Sequence, residues 1–138
     1  MRKNSVLILK FIILAFAIAS CQRFNHDEKI TGRYHLVSID VAEDMALSYK
    51  LDNEDYLGIV NETVFAVGYC DKYIIAMQHP SNKRKIIQYF IAPIYDVYTL
   101  SPEKGVIGPL TLEHFNEKRK ELNIPDNVTF TKVIEDLK

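Results

Sequence analysis

Tryptophan is absent from this chain of 138 residues, and cysteine occurs only twice, at Cys21 and Cys70. A framework of several disulfides, the usual support of small exported domains with little core, is thereby excluded. Glycine and proline number five each, too few for a low-complexity or collagen-like chain. Neither sign of charge dominates, since 17 basic residues face 18 acidic ones. Clean apolar runs fall short of the roughly 20 residues that a spanning helix needs. What the chain does have is aromatic area: eight tyrosines and seven phenylalanines can fill a core without tryptophan.

Arg2, Lys3 and Lys10 are the only charges among the first twenty residues, and residues 11–20 are apolar or small throughout. This is the plan of an export signal, with a basic start and a short apolar stretch. Its end, Ile18-Ala19-Ser20-Cys21, resembles the bacterial lipobox. Small side chains let extended backbone enter a peptidase cleft, and a thiolate is nucleophilic enough to take up a diacylglycerol group. The expectation is a lipoprotein precursor: residues 1–20 are removed and Cys21 becomes the lipid-bearing first residue. Several acyl chains make such an anchor effectively permanent. Gln22 is not the Asp that retains enteric lipoproteins at the inner membrane, so the expected address is the cell envelope, and the outer membrane where one exists. Residues 22–31 are polar and aperiodic, and read as a flexible tether reaching about 18 Å on average.

Loss of Arg2, Lys3 and Lys10 takes the 17 basic residues to 14 against 18 acidic, a net charge of −4. An acidic domain of this kind lacks the basic footprint of a nucleic-acid binder. The nearest approach to one is Lys83-Arg84-Lys85, read as a solvated hairpin tip. With Cys21 given to lipid, Cys70 has no partner for an intrachain disulfide, and stability must come from packing.

Beyond the tether, residues 32–138 suit one domain. Runs rich in β-branched and aromatic residues at 34–40, 46–51, 63–69, 73–78, 86–91 and 97–100 are separated by turn signals. Such short spacings leave no room for helical crossovers, so the strands should form an antiparallel meander. In the fourth run both faces carry apolar residues, which predicts a strand covered on each side. One helix stands out, at 112–122. Thr111 can cap it, Glu113 suits the positive end of its dipole, and Leu110 with Phe115 can form a hydrophobic staple. Leu112, Phe115, Arg119 and Leu122 share its inward stripe, and Pro125 follows its end. A last strand is expected within 128–133. The class is therefore α+β: an antiparallel meander of about five to seven strands with one C-terminal amphipathic helix packed on it.

Three stretches together have a familiar look: Gly32-Arg33-Tyr34, the segment Val67-Gly68-Tyr69-Cys70-Asp71-Lys72-Tyr73-Ile74-Ile75-Ala76, and Gly108-Pro109-Leu110-Thr111 followed by Phe115, Arg119, Leu122 and Ile124-Pro125. They resemble a family of small exported bacterial proteins known only as a domain of unknown function, many of them lipoproteins. The resemblance spans most of residues 32–125 and implies the fold and the envelope address, with no activity attached. The chain departs from the family pattern at Ala92-Pro93-Ile94-Tyr95. Each motif residue also has a mechanical reading: Gly108 permits positive φ, Pro109 fixes a turn, Thr111 caps, and Phe115 and Leu122 pack.

Chemistry-bearing patterns are sparse. Cys70 is the only candidate nucleophile, and pairing with His35, His79 or His114 would make it a thiolate–imidazolium site. His26, His35, His79 and His114 show no metal-ligand spacing, so no metal or other cofactor is expected. Asp52-Asn53-Glu54-Asp55 lacks the alternation, glycine and distal glutamate of a calcium loop. The reading that results is a non-enzymatic binding module on the envelope, held by lipid on Cys21, which offers exposed tyrosines and the tip at Lys83, Arg84 and Lys85 to an envelope protein. An inhibitor or immunity-type protein, and a small cysteine hydrolase using Cys70, are the rivals.

Overall fold

The computed structural model describes residues 25–138. Cys21 and the expected export signal lie outside the described residues.

Four antiparallel strands form the first sheet in the order β1 (His26–Thr31), β2 (Tyr34–Ser38), β3 (Ala46–Lys50) and β4 (Tyr56–Val60). The second sheet has the order β8 (Ile107–Leu110), β7 (Gln88–Pro93), β6 (Tyr73–Gln78), β5 (Val64–Tyr69) and β9 (Lys132–Val133). Among the described residues a single α-helix, α1 (Leu112–Glu121), follows β8. All pairings among the described residues are antiparallel, and where neighbours follow each other in the chain by a short turn this is what the connection requires.

The sheets pack face to face. Tyr34, Leu36, Leu47 and Tyr49 of the first sheet share one buried cluster with Ala66, Val67, Ile74 and Ala76 of the second. A second cluster, Ile75, Ile91, Phe115, Ile124 and Val128, lies on the opposite face of the second sheet, beneath α1. The molecule therefore has three layers. β6 is the middle strand of its sheet, with Ile74 and Ala76 in one core and Ile75 in the other. Its two apolar faces express that double burial.

The α+β class and the C-terminal helix agree with expectation, while the element list differs in instructive ways. There are nine strands among the described residues, more than the five to seven expected, and two sheets where one meander was read. Residues 26–31, read as tether, form β1 as far as Thr31. This strand has only Ile30 to offer the core, so no apolar period marks it. Backbone pairing with β2 and a Lys132 to Glu28 ion pair of 2.5 Å hold it instead. β4 carries Gly58 at its centre, and β8 carries the Gly108-Pro109 pair that reads as a chain breaker. As an outermost strand, β8 tolerates the proline because no partner needs its missing N–H.

The strand expected at 97–100 does not form. Thr99 N donates to the Tyr49 hydroxyl (3.3 Å) and Thr99 Oγ1 accepts from Ser101 N (3.2 Å) in place of a strand ladder, and Val97 and Leu100 project into solvent. The last strand shrinks from 128–133 to Lys132–Val133, because the chain before it crosses over Gly68 rather than pairing with β5.

On α1, Thr111 Oγ1 accepts from His114 N at 3.3 Å, which caps the first turn. Phe115 is buried with Leu110 packed against its cluster, as the staple predicts. The expected stripe is corrected at its first residue, while Leu122 packs against the cluster as expected. Leu112 is 54% exposed, since the first turn overhangs the sheet. Arg119 serves the stripe through one guanidinium nitrogen, Nη2, which donates to both Pro125 O (2.9 Å) and Val128 O (2.8 Å) while the group lies over the Phe115 ring.

Candidate functional site

Three connections meet at one end of the sandwich: the β1–β2 turn at Gly32 and Arg33, the β5–β6 turn at 70–72, and the loop that leaves β7. They enclose a cleft of about 370 Å³ whose walls include Arg33, Tyr49, Tyr69, Cys70, Tyr95 and Tyr98. Gly32 makes the first turn possible, because its φ of +53° suits a residue without Cβ.

Arg33 is fixed in three ways. It pairs with Asp52 at 2.8 Å, donates to Lys50 O at 3.3 Å, and places its guanidinium carbon 4.8 Å from the centre of the Tyr98 ring. Tyr34 is fully buried beside it. Its hydroxyl donates to Pro93 O (2.9 Å) and accepts from Tyr95 N (3.2 Å), joining the first sheet to the end of β7 in the second. Burial pushes its phenol above the usual value. The Tyr49 hydroxyl accepts from Thr99 N (3.3 Å), and that of Tyr95 donates to the Lys104 carbonyl. Tyrosine hydroxyls thus stitch the loop after β7 to the strands beneath it. Tyr69, Val97 and Leu100 remain open to solvent at 49%, 79% and 76%. This end has a fixed scaffold and an exposed aromatic and apolar rim.

Cys70 stands between this cleft and a second cavity of about 310 Å³ that also borders Leu122, Asn123 and Pro125. It is half-buried, and its thiol lies 3.7 Å from Tyr73 O. No histidine lines either cavity. The thiolate–imidazolium pair is therefore not assembled. His35 lies on the outer face of the first sheet, and His79 is buried and stacked on Phe65 with ring centres 4.2 Å apart. His114 sits in the exposed first turn of α1. Among the described residues no three His, Cys, Asp or Glu side chains gather as a metal site would. In the acidic turn, Asp52 is taken by Arg33, and Glu54 by Lys50 at 2.6 Å.

One polar cluster escapes sequence inspection. Asp27 of β1 accepts from the Tyr56 hydroxyl (2.5 Å) and meets His35 Nδ1 (2.7 Å). The Tyr56 hydrogen bond first, and then His35, hold the Asp27 carboxyl below its usual value. Only the strand register brings these residues together, so no spacing in the sequence announces them. Ser48 stands opposite His35 across β2 and β3. Aspartate, histidine and serine are the residue types of a nucleophilic triad, yet among the described residues no hydrogen bond links His35 to Ser48, which is 4% exposed. A nucleophile needs both that contact and access.

Lys83, Arg84 and Lys85 occupy the exposed connection between β6 and β7, at the other end of the molecule from the cleft. Arg84 reaches back to donate to Asp136 O (2.8 Å) and Lys138 O (3.4 Å), while Lys83 and Lys85 form no ion pair among the described residues.

The fold and its sites can be set beside known proteins. The family model described as protein of unknown function, DUF3997, matches residues 31–134. The chain belongs to this family. The DUF3997 match takes in all three connections that wall the cleft, the Gly32-Arg33-Tyr34 turn among them, and the Gly108-Pro109-Leu110-Thr111 segment. Cys21 and β1 as far as Ile30 precede it. No curated protein and no solved structure matches the chain.

Proposed function

We propose that this DUF3997 protein is an envelope lipoprotein, anchored through lipid on Cys21, whose domain is a binding module and presents the tyrosine cleft to an envelope partner. The observation that carries this reading is the direction of β1. Cys21 precedes His26 by five steps along the chain, a covalent reach of at most about 18 Å. β1 then runs from His26, opposite Ser38, to Thr31, opposite Tyr34, and ends at the wall of the cleft. An anchor at Cys21 therefore holds one end of the sandwich near the bilayer and turns the cleft away from it.

The cleft suits binding better than chemistry. The hydroxyls of Tyr49 and Tyr95 are engaged in holding the loop, the cysteine has no histidine beside it, and the rim exposes Tyr69, Val97 and Leu100. Confinement to a thin layer above the membrane raises the local concentration, so a modest interface suffices. Two measurements test the reading. Intact mass of the protein from membranes should show acyl chains on Cys21, and a mature N-terminus elsewhere would refute the anchor. A photo-crosslinker at position 97 should capture a partner in the envelope, and the adduct should be lost with Tyr69→Ala. An adduct unaffected by that change removes the cleft from the interface.

A further inference from the structure

We propose that the connection between β6 and β7, residues 79–87, is a membrane-contact surface, with Lys83 and Lys85 on anionic lipid headgroups and Ile86 and Ile87 at the boundary with the acyl chains. This rests on the anchor reading above for its geometry, and adds the face that the domain turns to the bilayer.

Location is the first observation. Several contacts place residues 79–87 at the end of the sandwich where β1 begins. His26 pairs with Ser38, the residue that ends β2. Thr63 Oγ1 donates to Glu43 O on the connection that follows, and Thr63 and His79 exchange backbone hydrogen bonds of 3.0 and 2.9 Å. Arg84 holds the carbonyls of Asp136 and Lys138 beyond β9, while Lys132 of β9 pairs with Glu28 of β1. With Cys21 at most about 18 Å from His26, this connection lies on the side facing the anchor.

Composition and order supply the second. Residues 83–87 read Lys-Arg-Lys-Ile-Ile, with no carboxylate. Ile86 and Ile87 are each 46% exposed, in a loop too well fastened to fold them inward. The buried His79 ring meets Ile86 O through Nδ1 at 2.8 Å, and backbone bonds from Asn82 to His79, Lys83 to Pro80, and Ile86 to Lys83 close successive turns. Two apolar side chains are thus held out beside two cations that form no ion pair among the described residues. Cationic residues with adjoining apolar ones are the combination that seats on an anionic bilayer surface. Ile39 and Val41, 64% and 48% exposed on the β2–β3 connection, lie at the same end. Asp40, Glu43 and Asp44 are on that connection too, so the cationic face is that of residues 79–87 alone.

The absence of tryptophan makes the test clean. Full-length protein purified from membranes and carrying Ile87→Trp is reconstituted in vesicles of phosphatidylcholine, alone or mixed with phosphatidylglycerol, with brominated lipid as quencher. Emission should shift to the blue and be quenched with phosphatidylglycerol present, and less so without it. Adding Lys83→Gln and Lys85→Gln should shift the docked equilibrium against contact by about fivefold per charge removed. Val97→Trp, at the cleft end, should stay unquenched. No quenching at position 87, equal quenching at 87 and 97, or indifference to the two lysines overturns the proposal. Intact mass of the same sample reads Cys21: an unacylated cysteine defeats the anchor reading, while the quenching at position 87 still decides the contact.

Discussion

Gly68 is the residue whose replacement the structure prices most sharply. A Cβ built there would lie 1.9 Å from the carbonyl oxygen of Thr129 and 2.8 Å from its carbon. Ordinary C···O contacts sit near 3.3–3.6 Å, so Gly68→Ala forces the crossing segment outward by about 1.5 Å. That segment has nowhere easy to go. It leads into β9, whose Lys132 and Val133 pair with Val67 and Ala66, and it carries Phe130, which packs against Phe115 at 6.1 Å between ring centres. Overpacking costs roughly 1–3 kcal/mol, and a backbone obstacle tied at both ends puts this case near about 3 kcal/mol, a large share of a stability of roughly 5–15 kcal/mol. The melting temperature should fall by about 12 °C, at roughly 4 °C per kcal/mol for a domain of this size. Gly58→Ala is the matched control. It is also a strand glycine, nothing lies within 4 Å of its Cβ position, and its φ is ordinary. It should be neutral, or stabilising by about 0.5 kcal/mol through the unfolded chain. Urea titration followed by circular dichroism reads both. If Gly68→Ala unfolds within about 0.5 kcal/mol of the parent, or Gly58→Ala falls as far, the close approach is not what fixes the 128–130 crossing.

Tyr34→Phe leaves Pro93 O and Tyr95 N without their shared partner and should cost about 1–3 kcal/mol, with faster amide exchange at Tyr95. Thr111→Ala removes the cap of α1 and should cost about 1 kcal/mol, while Thr111→Ser keeps most of it. Asp27 has a depressed carboxyl in the folded state, owing first to Tyr56. Its stabilisation is thus present above the ordinary value of 3.8 and lost as pH falls through the lower folded value. Tyr56→Phe should make the acid limb shallower, and an unchanged pH profile of the urea midpoint would contradict this. Tyr34 behaves in the opposite sense: its phenol is raised by burial, so its contribution is complete below about pH 10 and lost as pH rises through the folded value. Phenolate absorbance should show a tyrosine that ionises above the usual value, and that step should be lost in Tyr34→Phe.

Local signals gave α1 its start, its cap, its staple and its stop, because capping and 3.6-residue periodicity are written in neighbouring residues. The same holds for β6, whose two apolar faces foretold burial on both sides. The proposed export signal and the proposed lipidation of Cys21 are likewise readings of the sequence alone, since a peptidase and an acyl transferase would read extended chain. What neighbouring residues do not encode is partnership between distant ones. β1 is nearly all polar and is a strand because β2 lies beside it; β8 is one despite Gly108-Pro109 because it is outermost. The cleft, the Asp27–His35–Tyr56 cluster and the absence of a histidine beside Cys70 follow from strand register and sheet stacking. So does the opposition of the two ends, with Lys83 and Lys85 where β1 begins and Tyr69 and Val97 where it ends. Side-chain type is a local property, while the direction a surface faces is set only when two sheets have packed.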